Sequence, residues 1–340
     1  MKSYNNKRPL DYYEKLEKKE IEIYNELYFD DNDIKDIETI DKNNILSRKI
    51  VSFSDYDYNL PQNIFIIKHF RGKTIVGRKI RSVLRKNGKI NAINCSMITA
   101  HMLLGFLSSR KKDKRKITIY YYPFTNEEKK YIFNILKDNR KYDIYYPYKY
   151  RDYDYNLEEC SPEDGWTFNP EKKEYLGYGE VHLRDFTINF FKELNLNLKN
   201  KRIYDPACST GEFLYTFKNS FPNCYTIGHD LSQQMVDYSK NYVDESCCCN
   251  AFDSPLKDNS VDIMFLRFLN SEVVTTPLAY AIFNVIKNKV RKGGLIVGFG
   301  HTPLLITKEY FIKQGLKPII CNGYDKRNNA IFQYYVFEVL

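Results

Sequence analysis

The feature that most constrains the fold is a strand, a tight turn of small residues and a helix, encoded one after another from residue 201 onwards. Arg202–Asp205 reads as a short strand, residues 206–211 read Pro-Ala-Cys-Ser-Thr-Gly, and Glu212–Phe217 begins a helix. Small side chains in such a turn let a ligand approach the backbone at the carboxyl edge of a parallel strand. The turn therefore indicates a ligand-binding α/β domain, although turns of this kind also occur without a ligand.

The same alternation continues towards the C-terminus and supplies further landmarks. A second strand ends at Asp230, 25 residues after Asp205, where a carboxylate can accept hydrogen bonds from both hydroxyls of a ribose. The remaining landmarks are a third strand ending within 250–256, a fourth strand at 258–265, and a helix that ends at 291–294 before a fifth strand at 295–300. This order predicts a doubly wound α/β sheet.

Taken together, these segments resemble the class I S-adenosylmethionine (SAM)-dependent methyltransferases. Family members that act on small molecules read D-x-G-x-G-T-G, G-x-D-L-S, D-A-x-x-L-P-F-x-D-x-S-F-D and K-P-G-G. The counterparts in this sequence are residues 205–211, 228–232, 250–262 and 291–294. The resemblance covers residues 176–340 and implies a Rossmann-like seven-stranded sheet, closed by a hairpin of strands at 317–321 and 330–337. It also implies that the protein is a transferase and that SAM is its cofactor.

The resemblance assigns the cofactor contacts residue by residue. Asp205 and the turn after it would hold the methionine portion of SAM, and Asp230 would hold the ribose. Asn250 and the amide of Ala251 would meet the edge of the adenine, with other side chains packed on its faces. The expected cofactor-binding residues are Asp205, Ala207, Cys208, Ser209, Gly211, Asp230, Leu231, Asn250, Ala251 and Phe252.

Three of these residues depart from the family pattern. Ala207 and Ser209 stand where the family has glycines, and Asn250 stands where it has an aspartate. The amide oxygen of Asn250 can still accept a hydrogen bond from the exocyclic amine of adenine. The departures leave the pose of the cofactor open, and a doubly wound domain that does not bind SAM remains the alternative.

The residues after the fourth strand bear on the acceptor. The Asn-Pro-Pro-Tyr type of signature that orients an amino group of a base is absent, and residues 265–272 read Phe-Leu-Arg-Phe-Leu-Asn-Ser-Glu. Arg267, Asn270 and Glu272 fall at the carboxyl end of a central strand, where substrate-facing residues lie. Arg267 would hold a carboxylate of the acceptor or of SAM, and Glu272 would take a proton. His182 is a further candidate general base, and the alternative for each is a structural role.

Two chemistries share such a pocket. Methyl transfer to a small-molecule acceptor is the default that the superfamily implies. The turn at 205–211 together with residues 267–270 also resembles the isonocardicin-synthase-type 3-amino-3-carboxypropyl transferases and related azetidine-carboxylate-forming enzymes. That second resemblance implies reaction at a different carbon of the sulfonium, release of 5′-methylthioadenosine and a place in secondary metabolism.

The rest of the chain suggests further divisions but names no activity. We expect a helical and irregular segment at 1–48, a small basic α/β domain at 49–150, a linker or lid at 151–178 and the SAM-binding domain at 179–340. Within the small domain the pattern predicts strands at 63–68, 117–122 and 142–146, a helix opening at Thr125, and a buried helix over 95–109.

Charge and cysteine usage bound the partners. The chain carries a net charge of +9, and residues 51–150 hold 21 Lys and Arg against 7 Asp and Glu. Interleaved tyrosines make nucleic acid a candidate partner of this region, although biased composition explains the same surplus. The eight cysteines, three of them consecutive at 247–249, lack the spacing of a zinc or disulfide framework, so we expect free thiols and no metal. Since no apolar run reaches about 18–20 residues and the N-terminus has no apolar signal region, we expect a cytoplasmic protein without a membrane partner.

Overall fold

A computed structural model describes most of the chain, which divides into two compact units. One unit comprises residues 1–149 with 326–332, and the other comprises 150–325 with 333–340. The described residues are 41–56, 64–79, 84–86, 89–91, 97–113, 116–147, 164–167, 181–270, 273–300 and 302–340. The predicted segments at 1–40 therefore lie outside the described residues. No helix in the described part of the chain has the length and apolar character needed to cross a bilayer.

The N-terminal unit is built on an antiparallel sheet. Its described elements are α1 (Lys42–Ser47), β1 (Val51–Tyr56), β2 (Ile64–Phe70), β3 (Lys73–Arg78), β4 (Leu84–Lys86), β5 (Lys89–Asn91), β6 (Met97–Ile98), β7 (Leu103–Asp113), β8 (Lys116–Pro123), α2 (Asn126–Asp138) and β9 (Ile144–Tyr145). Six strands form one sheet in the order β1-β8-β7-β3-β2-β9. Every neighbouring pair is antiparallel, while β4 and β5 form a separate hairpin.

The predicted strands of this unit and the helix predicted to open at Thr125 are confirmed. Thr125 caps α2 through a capping box, in which its side chain accepts from the Glu128 amide and the Glu128 carboxylate accepts from the Thr125 amide. The same carboxylate also receives both Nη groups of Arg48 at 2.7 and 2.8 Å. Tyr146 is fully buried and Tyr120 is exposed, so only some of the predicted stacking surfaces are open. Nucleic-acid binding by this region stays a prediction.

The helix expected over 95–109 is wrong. Residues 97–98 form β6, and Leu103–Asp113 form the long strand β7 between β3 and β8. A Cβ at Gly105 would lie 2.0 Å from the carbonyl oxygen of Tyr122, so the close approach of neighbouring strands requires glycine there. A strand buried on both faces reads as a continuous apolar run, which periodicity alone does not distinguish from a buried helix.

The C-terminal unit contains the predicted Rossmann-like sheet. Its described elements are α3 (Val181–Glu193), β10 (Arg202–Asp205), α4 (Glu212–Ser220), β11 (Tyr225–Asp230), α5 (Gln233–Ser239), β12 (Glu245–Cys248), β13 (Val261–Leu266), α6 (Thr276–Ile286), β14 (Val290–Gly298), α7 (Lys308–Lys313), β15 (Leu316–Asp325) and β16 (Ala330–Val339). The strand order is β12-β11-β10-β13-β14-β16-β15. The first five strands are parallel, and β16 is antiparallel to β14. This is the topology of the class I SAM-dependent methyltransferase fold, and the predicted closing hairpin is confirmed as β15 and β16.

Two boundaries differ from the sequence prediction. The third strand ends at Cys248, before the predicted segment 250–256, and Ala251–Asp253 form a 3₁₀ turn. The helix α6 ends at Ile286 and is followed by a 3₁₀ turn over Lys287–Lys289, so residues 291–294 lie inside β14 and not at a helix end. They form a bulge, because Val261 pairs with Val290 and Ile263 already pairs with Leu295. Pattern matching located the Gly-Gly pair but misread the bulge as a helix terminus.

Candidate active site

The turn between β10 and α4 is folded tightly against the neighbouring strand. The Cys208 amide donates to the His229 carbonyl oxygen at 2.7 Å. Ser209 and Gly211 both have left-handed backbone, with φ of 53° and 78°, and a Cβ at Gly211 would stand 3.0 Å from the Ser239 Cβ. The small residues of this turn are therefore needed for its shape as well as for any ligand that approaches it.

The side chain of Cys208 faces the sheet. It is buried, and a Cβ at Gly228 would lie 2.8 Å from its Sγ. Burial, together with the nearby carboxylates of Asp205 and Asp230, raises the pKa of this thiol well above its ordinary value. Cys208 is therefore a packed, neutral residue whose predicted contact with SAM would have to come from its main chain.

Asp230 joins the turn to the start of α5. Its Oδ2 accepts from the Ser209 amide at 2.8 Å, and its Oδ1 accepts from the Ser232 amide at 3.0 Å. Burial raises the pKa of this carboxyl, against the effect of the two amide donors. Each carboxylate oxygen can accept more than one hydrogen bond, so the group fits the predicted task of accepting from ribose hydroxyls.

Asp205 forms a buried ion pair with Arg267. The Arg267 Nε lies 2.7 Å from Asp205 Oδ2, while the Ala207 amide donates to Asp205 Oδ1 at 3.1 Å. Asp205 is fully buried, the Arg267 side chain is 10% exposed, and its guanidinium lies over the Phe213 ring at 4.6 Å from the centroid. Both residues were expected at the site, but no pattern in the sequence indicates their ion pair. The predicted contact of Arg267 with a substrate carboxylate stays a prediction.

Asn270 stabilises the loop that follows β13 through hydrogen bonds. Its Nδ2 donates to the Arg267 carbonyl oxygen at 3.1 Å, and its main-chain amide donates to the Phe268 carbonyl oxygen at 2.8 Å. The residue is buried, and a Cβ at Gly300 would lie 3.3 Å from the same Arg267 oxygen. Asn270 thus holds the backbone that carries Arg267, and its predicted part in the reaction stays a prediction.

The predicted adenine contacts lie beyond β12. The Asn250 Oδ1 accepts from the Phe252 amide at 3.0 Å and so caps the 3₁₀ turn, and the Cys249 amide donates to the Asp230 carbonyl oxygen at 3.0 Å. Ala251 is buried, Phe252 is 36% exposed and Leu231 is partly buried. The local fold therefore occupies one acceptor position of the Asn250 oxygen, and its contact with adenine stays a prediction.

The remaining predicted residues have different outcomes. His182 lies in the first turn of α3 and is buried, while Glu272 lies outside the described residues. Gly165, with φ of 77°, lies so close to the chain that a Cβ there would stand 2.7 Å from the Ser232 amide nitrogen. Residues 164–167 therefore pack beside the Asp230 turn, and their role as part of a linker or lid stays a prediction.

The sequence analysis missed a buried polar group beneath these strand ends. The Tyr204 hydroxyl lies 3.1 Å from the His229 Nδ1 and donates to the Ser254 hydroxyl at 3.2 Å. Burial lowers the pKa of His229 to about 4, so the imidazole is neutral near pH 7. The alternation of side chains along a strand could have indicated this group. Tyr204 and His229 each directly precede a strand-end aspartate, so their side chains point to the opposite face of the strand from the aspartate.

The three strand ends form one continuous edge. The Asp230 carboxylate binds the turn after β10, and its carbonyl oxygen binds the chain leaving β12. An adenosyl and amino-acid ligand requires glycine-dependent close packing, main-chain amides and carboxylates at the strand ends. Here the Asp205 carboxylate is buried and the Asp230 carboxylate is partly buried. The residues present therefore fit SAM.

Comparison with known proteins agrees with this geometry. Residues 204–298 match the family described as "Methyltransferase domain". The chain is 30% identical over 287 residues to isonocardicin synthase of Nocardia uniformis subsp. tsuyamanensis, covering 83% of this chain and 93% of that protein.

Solved structures of SAM-dependent methyltransferases are also similar to part of the chain. One from Aquifex aeolicus is 18% identical with a TM-score of 0.37, and covers 51% of this chain and 100% of its own. Magnesium protoporphyrin IX methyltransferase from Synechocystis PCC 6803, solved with bound SAM, is 11% identical with a TM-score of 0.39, and covers 61% and 96%.

Proposed function

The chain belongs to the family of isonocardicin synthase within the class I SAM-dependent transferases, and on that premise we propose that it transfers the 3-amino-3-carboxypropyl group of SAM to a small-molecule acceptor. SAM is the cofactor, and the protein is a SAM-dependent transferase. The extent of the similarity carries the proposal, because it runs over 287 residues and 93% of the relative. The methyltransferase match spans only residues 204–298.

The ion pair between Asp205 and Arg267 supports this choice of group. The family resemblance puts the methionine portion of SAM at the turn that follows Asp205. Transfer of the aminocarboxypropyl arm requires that this arm be held with its γ-carbon towards the acceptor, whereas methyl transfer requires that the methyl carbon face the acceptor instead. A buried carboxylate and guanidinium, fixed 2.7 Å apart, would hold the charged end of the arm in one orientation.

The chemistry is a nucleophilic substitution. Bound SAM supplies a sulfonium whose neighbouring carbons are electrophilic. An acceptor heteroatom forms a bond to the γ-carbon of the arm, the bond between that carbon and sulfur breaks, and its electron pair stays on the sulfur of 5′-methylthioadenosine. The acceptor proton passes to a base, for which Glu272 and His182 remain the candidates from the sequence.

A small molecule is the proposed acceptor. The name of the relative refers to a small-molecule product, which supports this acceptor class and a place in secondary metabolism. Methyl transfer is the second candidate function, and the match of residues 204–298 to the methyltransferase domain favours it.

The sulfur-containing product distinguishes the two reactions. The protein is incubated with SAM and a fraction of small metabolites, and the products are separated and identified by mass spectrometry. We expect enzyme-dependent formation of 5′-methylthioadenosine, together with an acceptor whose mass has risen by that of the arm. S-adenosylhomocysteine and a methylated acceptor would instead establish methyl transfer.

Two controls are required because SAM slowly releases 5′-methylthioadenosine without an enzyme. One reaction omits the protein, and another contains the Asp230→Ala variant, which lacks the proposed ribose contact. The product must exceed both backgrounds, and label placed on the carboxyl carbon of the arm must appear in the acceptor. Label retained only in unreacted SAM and its breakdown products would contradict the proposal.

A further inference from the structure

Three potential metal ligands converge on one face of the sheet, next to the candidate active site. His229 of β11 and Cys247 of β12 are direct partners in the parallel pairing of these strands. Cys249 follows two positions later and returns to the same face. One ligand atom from each residue lies within 4.8 Å of the other two, and the Cys249 Sγ is 3.5 Å from the His229 Nδ1. We call these three residues the His–Cys cluster.

The imidazole in this cluster is buried and only partly satisfied by hydrogen bonds. His229 is fully buried, and its Nε2 has no hydrogen-bond partner within the described part of the chain. Buried polar atoms are nearly always paired, and an exception requires an explanation. Its other nitrogen lies 3.1 Å from the Tyr204 hydroxyl and 3.3 Å from that of Ser254. Because the Cys249 Sγ approaches this same nitrogen, Nδ1 is the candidate ligand atom, and a cation bound there would displace its contacts with the two hydroxyls, which keep their bond to each other.

A disulfide fits the two thiols less well than a shared cation does. Residues i and i+2 of an extended chain lie about 6.6 Å apart, which is close to the upper limit of about 6.8 Å for the Cα atoms of a disulfide. Cys247, Cys248 and Cys249 are all free thiols in the structure. Tetrahedral Zn²⁺ would need its sulfur and nitrogen ligands about 3.5–3.8 Å from one another, given its usual bond lengths. Small side-chain rotations from the observed spacing reach that distance.

We propose that His229, Cys247 and Cys249 form a binding site for a thiophilic d¹⁰ cation, with Zn²⁺ as the ion that best fits the donor set. Two sulfurs and one imidazole nitrogen select such ions over Mg²⁺ or Ca²⁺, which prefer oxygen ligands. Three protein ligands leave a fourth position for water. The spacing of the cysteines did not indicate this site, because its nitrogen ligand comes from the neighbouring strand.

The cation would join the two strand ends that carry the proposed nucleoside contacts. His229 directly precedes Asp230, and Cys249 directly precedes Asn250. At present the main-chain bond from the Cys249 amide to the Asp230 carbonyl oxygen links these ends. A bound cation adds a second link, so its role would be to position the ribose and adenine contacts. The proposal does not depend on which group the enzyme transfers.

Cobalt provides a direct readout of cysteine ligation. The reduced, metal-free protein is titrated with Co²⁺, which takes the Zn²⁺ position and gives a thiolate-to-cobalt charge-transfer band in the near ultraviolet. We expect the band to saturate at one equivalent and to disappear when Zn²⁺ is added. Cys247→Ser and Cys249→Ser should each lower the affinity at least tenfold. Cys248→Ser is the matched control, since its side chain lies between them on the opposite face, and this variant should bind as the wild type does.

Two results would overturn the proposal. One is the absence of a charge-transfer band in the wild type at one equivalent of Co²⁺. The other is an equal loss of binding in Cys248→Ser and Cys249→Ser, which would point to exposed thiols in general. If a cluster variant does not fold, the thermal unfolding of the wild type and Cys248→Ser still decides. Zn²⁺ must raise the Tm of both by mass action, and an unchanged Tm would reject the site.

Discussion

Asp205 and Asp230 end two adjacent parallel strands, yet their surroundings differ in kind. Asp205 is fully buried and bonded to the guanidinium of Arg267. Among the described residues no cation forms an ion pair with Asp230, which accepts hydrogen bonds from two main-chain amides, those of Ser209 and Ser232. The same fold thus places one carboxylate in an ion pair and keeps the other available to neutral donors. Position on the sheet edge alone therefore does not fix the role of a strand-end carboxylate.

The difference predicts which property each residue controls. Two charges withdrawn from water are tolerated only together, so loss of one partner leaves the other uncompensated. We expect changes at the Asp205 end to act mainly on folding stability. A carboxylate bound to amides can accept further hydrogen bonds from a ligand at little cost to the fold. We therefore expect changes at Asp230 to act mainly on SAM affinity.

The largest expected effect is that of Arg267→Met. The substitution keeps much of the side-chain volume but leaves Asp205 buried without its cation. The free energy of unfolding should fall by about 3–5 kcal/mol, as measured by urea denaturation. Lys201→Met is the control, because the ion pair of Lys201 with Asp262 is more exposed, with 37% of the Lys201 side chain accessible, and such pairs contribute only about 0–1 kcal/mol.

A double variant sharpens the result. Asp205→Asn combined with Arg267→Met removes both charges, and it should recover part of the stability that Arg267→Met loses. If Lys201→Met and Arg267→Met unfold at the same urea concentration, the buried pair has no special role and the comparison between the two strand ends fails.

The next effect is that of Asp230→Ala on cofactor binding. Removing the carboxylate should weaken SAM binding by about 1–3 kcal/mol, as measured by isothermal titration calorimetry. Asp237→Ala is matched to it, since Asp237 lies in α5 on the exposed surface and pairs with Lys240; its SAM affinity should be unchanged. Wild-type affinity in Asp230→Ala would show that the ribose does not bind at this strand end.

The Asp230 end could be predicted from the sequence, whereas the Asp205 pair could not. The strand, the acidic residue and the following Leu-Ser lie within a few positions of one another, and their order alone predicts a ribose contact in a Rossmann-like fold. Arg267 is 62 positions from Asp205, and no local pattern joins them. The His–Cys cluster could not be predicted for the same reason, because the pairing of β11 with β12 brings its ligands together.

The N-terminal unit shows a second limit of sequence reasoning. The helix α2 was predicted because its capping box is local, with Thr125 and Glu128 three positions apart. The strand β7 has the sequence pattern of a buried helix, since its first residues are apolar throughout and lie between two neighbouring strands. Tertiary neighbours decide the conformation of such a run, and those neighbours are not visible in the run itself.

The smallest expected effect is a pH dependence of SAM affinity that arises at Asp230. Burial raises the pKa of this carboxyl in the free protein, and hydrogen bonds from ribose hydroxyls favour the ionised form. Affinity should therefore be greatest above the raised pKa and fall as the pH decreases through it, at a higher pH than for an ordinary aspartate. One pH unit below the pKa, about a tenth of the molecules are ionised, which corresponds to about 1.4 kcal/mol.

Stability should move in the opposite direction, which separates this effect from acid unfolding. A carboxyl whose pKa is higher in the folded than in the unfolded protein stabilises the fold when protonated, and that contribution is lost as the pH rises through the folded-state pKa. Lowering the pH in this window thus weakens SAM binding while the contribution of Asp230 to stability increases. In Asp230→Asn both dependences should vanish, as titration calorimetry and urea denaturation across the window would reveal. If the variant keeps the wild-type pH profile for affinity, another group titrates. Asp230 is then not a carboxylate that accepts hydrogen bonds from the ribose.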